Sequence, residues 1–209
     1  MNFLPELLTV ILVHLLAVMS PGPDFVLVSQ NSLLHSRKIG IYTSVGLALG
    51  ILVHVAYSLI GIGLIISKSI LLFSVLKFAC AGYLIYIGIK AILAKKSSTE
   101  KADGKKMAHL SGFAAVKTGF LTNVLNPKVT LFFFALFTQV IDPHTPKTIQ
   151  LIYGLEMSLM TFLWFGLIAI VLSHRIIKDR FVSIQHYLEK FFGGILIALG
   201  IKVALSTAK

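Results

Sequence analysis

The residues of this chain best suited to chemistry are three ionisable side chains, Asp24, Lys128 and Glu156, each set within an apolar stretch. A charge near the middle of a bilayer costs about 3 kcal/mol on insertion scales, so such residues usually pair or serve a function. Asp24 and Lys128 could form a structural ion pair, or they could bind the two ends of a zwitterion. Glu156 could exchange protons, bind an ammonium group, or be a buried acid held by a neighbouring lysine.

Two of these charges follow prolines that interrupt apolar segments. The first interruption is Ser20-Pro21-Gly22-Pro23, directly before Asp24, and the second is Asn126-Pro127, directly before Lys128. Proline removes a backbone hydrogen bond and clashes with the preceding turn, and lipid offers no water to the freed carbonyl groups. Each break is therefore a kink packed against protein or the wall of a cavity. Paired breaks favour the cavity, because they are typical of transporter substrate sites.

The composition is that of a membrane protein. Of the 209 residues, 56% are hydrophobic and 13% are charged, whereas soluble domains carry about 25% charged residues. The net charge of +11 does not indicate nucleic-acid binding, because the lysines and arginines cluster at the ends of apolar segments. Basic residues in such positions set membrane topology and meet anionic lipid. The lipid bilayer is therefore the predicted environment, and no nucleic-acid partner is expected.

A spanning helix needs about 20 apolar residues, and six segments approach or exceed this length. The first is expected to be a span rather than a cleaved signal peptide, because no basic segment precedes it and its apolar run continues past Pro21. The first and the fourth span are predicted to be broken. The six predicted spans cover about 4–33, 41–66, 69–93, 112–141, 149–173 and 191–205.

The two halves of the chain resemble each other. The segment Gly82–Lys90 matches Gly194–Lys202 in both glycines and the lysine, and Pro23 precedes Pro127 by the 104 positions that also separate Gly50 from Gly154. Three spans per half force the second half to enter the membrane from the opposite side. The predicted fold is therefore an all-α membrane protein of six transmembrane helices in two inverted three-helix repeats, an architecture common in secondary transporters. The repeats are predicted at 1–94 and 112–209, joined by a polar linker at 95–111.

Positive charge predicts the orientation of the spans, because cytoplasmic loops carry an excess of lysine and arginine. Three of the basic loop and terminal residues lie on one side: Lys68, Lys147 and Lys209. Ten lie on the other: Arg37, Lys38, Lys95, Lys96, Lys101, Lys105, Lys106, Arg175, Lys178 and Arg180. The side with ten, which includes the linker, is predicted to be cytoplasmic. Both termini are then predicted to lie outside.

Other polar or small residues in the apolar helices are interpreted structurally. His14 and His54 are predicted to be satisfied core residues rather than proton relays. Gly46 and Gly50 are predicted to allow close packing between helices.

Several of these motifs together resemble the LysE/RhtB family of amino-acid exporters. The first-helix motif is Ser20-Pro21-Gly22-Pro23-Asp24-Phe25 followed by Val28-Ser29-Gln30. The fourth-helix motif is Asn123 with Asn126-Pro127-Lys128, and Glu156 followed by Trp164-Phe165 comes later in the same order. The resemblance covers essentially the whole chain, and the Pro-Gly-Pro-Asp-Phe form is closest to the homoserine and threonine exporters of that family.

This resemblance implies efflux of a small amino acid, such as threonine or homoserine, from the bacterial cytoplasm across the inner membrane. It also implies that export is coupled to the proton gradient and that the protein can form homodimers. No cofactor or metal is expected. The residues expected to bind substrate or couple protons are Asp24, Asn123, Asn126, Lys128 and Glu156. The broken-helix residues expected to shape the site are Ser20, Pro21, Gly22, Pro23 and Pro127.

Other functional classes fit the sequence less well. The chain has no His-Glu-x-x-His motif, Gly-x-Ser-x-Gly motif or Walker loop, so neither a membrane enzyme nor an ATP-driven pump is expected. A passive channel or another non-transport membrane protein is the alternative. A channel would be expected to show a filter sequence or rings of charge, and it would not need two proline breaks.

Overall fold

The computed structural model of the chain describes most of its residues. These are residues 3–20, 22–68, 70–93 and 110–172, and in the last segment 187, 190–191, 193–195, 197–198 and 200–205. Pro21 and nearly all of the predicted 95–111 linker lie outside the described residues.

The described residues form helices and no strand, as the sequence predicts. Seven helices follow one another along the chain: α1 Leu4–Met19, α2 Pro23–Leu34, α3 Arg37–Lys68, α4 Ile70–Leu93, α5 Gly112–Val124, α6 Pro127–Gln139 and α7 Lys147–Leu172. A shorter apolar helix, α8 Gly193–Leu205, follows them.

Both predicted helix breaks are present. The axes of α1 and α2 differ by 59°, and those of α5 and α6 by 56°. In each case a proline, Pro23 or Pro127, opens the second helix of the pair. Proline suits this position because the first turn of a helix has no intrahelical partner for its N–H groups, and the fixed φ angle is already helical.

The helices have the length and apolarity of membrane spans. The stretch Arg37–Ile60 of α3 and the whole of α7 meet the requirement alone, and each bent pair, α1 with α2 and α5 with α6, meets it as one span. This gives two to four candidate spans among the described residues. The predicted third span corresponds to α4 and the predicted sixth to α8, so six spans in two inverted repeats remain a prediction.

The exposed and buried faces agree with a lipid environment. Leucines at every fourth position of α7 form an exposed apolar stripe: Leu151, Leu155, Leu159, Leu163 and Leu167. Such a stripe would be unfavourable in water but suits lipid. Conversely, all six residues from Phe132 to Phe137 in α6 are buried, so this helix lies inside the bundle.

Glycines bring α3 and α5 into backbone contact. A methyl group on Gly46 would lie 2.1 Å from the carbonyl oxygen of Val116, and one on Gly119 would lie 2.3 Å from that of Thr43. Both distances are far below van der Waals contact, so neither position has room for a side chain. The prediction that Gly46 serves close packing is confirmed. This contact places the second broken pair directly against α3.

We predict that Gly46→Ala destabilises the protein. The added methyl group meets backbone that cannot move aside, and overpacking of this kind costs about 1–3 kcal/mol. Thermal unfolding in detergent micelles should show a lower midpoint than the wild type. Gly82→Ala is the matched control, because no neighbouring atom lies within 4 Å of the methyl group at that position. Equal midpoints for the two variants would contradict the packing assignment.

Candidate functional site

The two helix breaks face each other, and Asp24 accepts hydrogen bonds across the gap between them. Asn123 Nδ2 donates to Asp24 Oδ2 at 2.7 Å, and Asn126 Nδ2 donates to Asp24 Oδ1 at 3.1 Å. All three side chains are buried. Asp24 lies in the first turn of α2, where the positive end of the helix dipole favours a carboxylate. The acid of the first break is therefore stabilised by amides of the second.

Lys128 makes a further connection from the second break to the first. Its Nζ donates to the carbonyl oxygen of Ser20 at 2.8 Å. Ser20 caps the C-terminus of α1, where the last carbonyl groups have no intrahelical partner and favour a cation. Gly22 lies alongside, and a methyl group there would be 3.5 Å from Lys128 Nζ. The first break leaves the carbonyl oxygen of Ser20 without a partner in its own helix, and Lys128 of the second break donates to it.

Asp24 and Lys128 attract each other electrostatically, but they do not form a direct ion pair. Among the described residues, no ion pair within 4.0 Å joins their charged groups. Each is held instead by neutral partners, two amides for the acid and one carbonyl for the lysine. An ionised carboxylate has about four acceptor positions and an ammonium group has three donors, so both retain capacity for a ligand.

A cavity lies between the breaks. The volume open to the centre of a water molecule is about 40 Å³, compared with the roughly 10–15 Å³ that one water requires. The cavity therefore has room for more than a single water molecule in this conformation. The residues that line the cavity are His14, Ala17, Val18, Ser20, Gly22, Asp24, Phe25, Ile51, Asn123, Asn126, Lys128, Val129, Phe132, Phe133, Thr161 and Phe165.

Asn126 organises the second break from both ends of its side chain. Its Oδ1 accepts from the backbone N–H of Lys128 at 3.0 Å, which caps the N-terminus of α6, while its Nδ2 binds Asp24. The adjacent Pro127 is exposed and lies outside the lining of the cavity, as does Pro23. These two prolines thus set the helix direction rather than the surface of the cavity.

Glu156 lies apart from this cluster. It is half-buried on α7 and is not among the residues that line the cavity. Its Oε2 atom is buried and has no hydrogen-bond partner in the described part of the chain. The structure thus brings together four of the five predicted substrate or coupling residues, and it places the fifth elsewhere.

Two residues that support Asn123 were not predicted as part of the site. His54 Nε2 lies 3.0 Å from the backbone oxygen of Asn123, and His54 Nδ1 lies 2.7 Å from the hydroxyl of Tyr57. Because a carbonyl only accepts, Nε2 carries the proton and Nδ1 accepts from Tyr57. Gly50 makes room for the Asn123 side chain, since a methyl group there would lie 2.6 Å from Asn123 Oδ1.

Nothing in the sequence connects His54 or Gly50 to Asn123, because the contacts run from α3 to the end of α5. The prediction that His54 is a satisfied core residue is confirmed by its two hydrogen bonds. His14 differs, because its Nδ1 is buried without a partner among the described residues and the residue lines the cavity.

We predict that His54→Phe weakens the site. Phenylalanine can keep the stacking on Phe133, whose ring centroid lies 5.4 Å away, but it loses the donor to Asn123 and the hydrogen bond to Tyr57. The expected decrease in the free energy of unfolding is about 1–2 kcal/mol. Denaturant titration of the purified protein measures it, with His144→Phe in the exposed loop as control. An equal effect of the two substitutions would show that the hydrogen bond to Asn123 contributes nothing.

Comparison with known proteins identifies the family of this chain. Residues 15–207 match the family model described as LysE type translocator. An uncharacterized membrane protein YrhP of Bacillus subtilis is 32% identical over 96% of this chain and 99% of its own length. The threonine efflux protein of Escherichia coli K12 is 29% identical over 95% of this chain and 97% of its own length. No solved structure matches the chain. Because the family model covers nearly all of the chain, this protein belongs to the LysE translocator family.

Proposed function

We propose that this protein is a secondary active exporter of a small amino acid, driven by antiport of protons. The observation that carries the proposal is the cavity between the two breaks, which is lined by an acid and a lysine that do not pair with each other. A water-filled passage for ions would not need opposite charges held apart by neutral partners. A zwitterion has both charges at a fixed separation and can meet both side chains at once.

The two ends of the amino acid are assigned to the two breaks. The carboxylate is proposed to meet Lys128 Nζ and the N-terminus of α2 beside Gly22, where backbone N–H groups and the helix dipole favour an anion. The ammonium group is proposed to meet the unused acceptor positions of Asp24. Asn123 and Asn126 hold that carboxylate in place without changing its charge. Neutral partners already occupy some of the hydrogen-bonding positions of Asp24 and Lys128. The substrate is therefore bound weakly enough to be released.

The substrate class is inferred from relatives. The name of the E. coli relative specifies threonine efflux, and this chain covers 97% of that protein's length. Threonine, homoserine and similar small neutral amino acids are therefore the proposed substrates. Access to the cavity is proposed to alternate between the two sides of the membrane by movement of one half of the bundle against the other.

Proton coupling is assigned to the two acids within the spans. Protonation of Asp24 from outside would weaken its hold on the ammonium group and release the amino acid. Glu156 is proposed as a second proton carrier, since its buried Oε2 has no partner in the described residues and therefore has a position open for a proton or water. Its separation from the cavity would let it titrate without touching the substrate.

The proposed architecture is six spans in two inverted repeats, at 1–94 and 112–209. Support comes from the matching bends of 59° and 56°, each followed by a proline at the start of the second helix. The 95–111 linker is assigned to the cytoplasm and both termini to the outside, on the positive charge of the loops. The leucine stripe of α7 would then face lipid or a second copy in a homodimer.

The proposal predicts gradient-dependent export. Cells that express the protein and are loaded with threonine or homoserine should retain less of it than cells that carry an empty vector. Dissipation of the proton gradient should abolish this difference. A passive channel would equilibrate the solute regardless of the gradient, and a structural protein would leave its level unchanged. Either result would reject the proposal.

Asp24→Asn and Lys128→Met should each lower export by at least about tenfold, because each removes a charge worth about 1.5–3 kcal/mol in a charge-assisted hydrogen bond. Export from preloaded proteoliposomes measures the effect at equal amounts of inserted protein. Asp142→Asn, at an exposed acid in the loop before α7, is the matched control. Normal export by either site variant would exclude that residue from binding.

Glu156→Gln separates coupling from binding. Because Glu156 does not line the cavity, the variant should still exchange labelled for unlabelled amino acid across the membrane. It should nevertheless lose export driven by an imposed proton gradient. Both activities are measured on the same proteoliposome preparation. If gradient-driven export persists at the wild-type rate, Glu156 is not the coupling residue.

A further inference from the structure

His14 lines the cavity and carries a buried polar atom that no part of the mechanism above uses. The residue is 3% exposed and packs against the rings of Phe132 and Phe133, with centroid distances of 6.0 Å and 6.4 Å. Its Nδ1 atom has no hydrogen-bond partner among the described residues. A buried polar atom left unpaired costs about 1–3 kcal/mol, so native structures rarely tolerate one without a ligand or water.

The other ring nitrogen of His14 contacts a threonine that is also turned toward the cavity. Thr161 Oγ1 lies 3.4 Å from His14 Nε2, a longer separation than most hydrogen bonds. Thr43, Thr118 and Thr138 each donate to the carbonyl four residues earlier in their own helix. Thr161 makes no such bond, although it is fully buried and lines the same cavity. Its hydroxyl is therefore available to the cavity instead of its own helix.

The chemistry of this pair suits a hydroxyl group better than a charged group. A neutral imidazole has one donor and one acceptor, and which nitrogen carries the proton depends on the bond made by the other. If Thr161 donates to Nε2, then Nδ1 is a donor, whereas if Nε2 donates to Thr161, then Nδ1 is an acceptor. A ligand hydroxyl can satisfy Nδ1 in both cases. An ammonium group or a carboxylate satisfies it in only one.

The remaining walls specify where this hydroxyl would come from. Asp24 and Lys128 are assigned to the α-ammonium and α-carboxylate groups. Ser20 Oγ and Asn123 Oδ1 also have no partner among the described residues. Ser20 belongs to the break whose carbonyl binds Lys128, and Asn123 Oδ1 lies against Gly50 of α3. His14 and Thr161 are the polar groups that are left, and they stand among apolar side chains: Ile51, Phe132, Phe133 and Phe165. Such a wall accommodates a short aliphatic side chain that carries one hydroxyl.

Resting on the proposed function, we infer that His14 and Thr161 form a subsite that binds the side-chain hydroxyl of the transported amino acid. The pair would make this exporter selective for hydroxylated aliphatic amino acids over apolar ones of the same shape. Selection of this kind is effective because an analogue without the hydroxyl leaves the buried polar groups unpaired.

Threonine and valine test the inference, because valine replaces the hydroxyl of threonine with a methyl group of nearly the same size. In proteoliposomes loaded with labelled threonine, the wild type should exchange threonine in preference to valine. Thr161→Val and His14→Phe should each reduce the threonine-to-valine preference by about threefold to tenfold, the value of one hydrogen bond. His14→Gln, whose amide both donates and accepts, should restore part of it. Thr118→Val is the matched control, because that hydroxyl binds its own helix on an exposed face.

The outcomes separate this inference from the proposed function. A wild type that exchanges amino acids without preferring threonine, or variants that keep the wild-type preference, would overturn the subsite and leave export standing. In that case Nδ1 of His14 is met by water alone. A wild type that moves no amino acid would overturn the proposed function and the subsite with it. If His14→Phe does not fold, Thr161→Val decides the question, because that substitution preserves the shape of the side chain.

Discussion

The requirement that backbone polar groups find partners inside a bilayer governs the architecture around the cavity. A proline break frees carbonyl groups that water would satisfy in a soluble protein, and lipid cannot. Here Lys128 of the second break binds the carbonyl of Ser20 at the end of α1, while Asn123 and Asn126 of the second break bind the side chain of Asp24 in the first. The carbonyl of Asn123 in the second break is bound by His54 of α3. The two bent spans are therefore joined at their breaks by three hydrogen bonds.

These hydrogen bonds between the two breaks also determine the electrostatics of the cavity. Asp24 lies at the N-terminus of α2, and the ammonium group of Lys128 reaches the C-terminus of α1, so each charge sits at the favourable end of a helix dipole. Because dipoles and neutral groups stabilise both charges, they have no need to collapse into an ion pair. Opposite charges that stay separate in one cavity are the feature on which the proposed binding of a zwitterionic substrate depends.

The surrounding helices maintain this geometry through close packing rather than additional charge. Gly46 and Gly119 allow α3 and α5 to touch along their backbones, and Gly50 leaves the space that the side chain of Asn123 occupies. His54 then binds the carbonyl of Asn123 from the same face of α3. These contacts fix the end of α5 against α3 and so hold the amide of Asn123 toward Asp24. Movement of α3 relative to α5 would therefore alter the proposed substrate site directly.

The sequence by itself determined the membrane class, the positions of the helices and the two breaks, because these follow from local rules. Runs of apolar residues give spans, and proline and asparagine favour the start of a helix, where Pro23 and Asn126 lie here. It also singled out Asp24 and Lys128, since charges are rare in apolar segments. Only the tertiary structure decided their partners, which lie 99 to 108 positions away in the chain. It likewise placed Glu156 outside the cavity and His14 and Thr161 inside it. Such choices depend on how rigid helices rotate and tilt against one another, and a pattern within one segment carries no information about that.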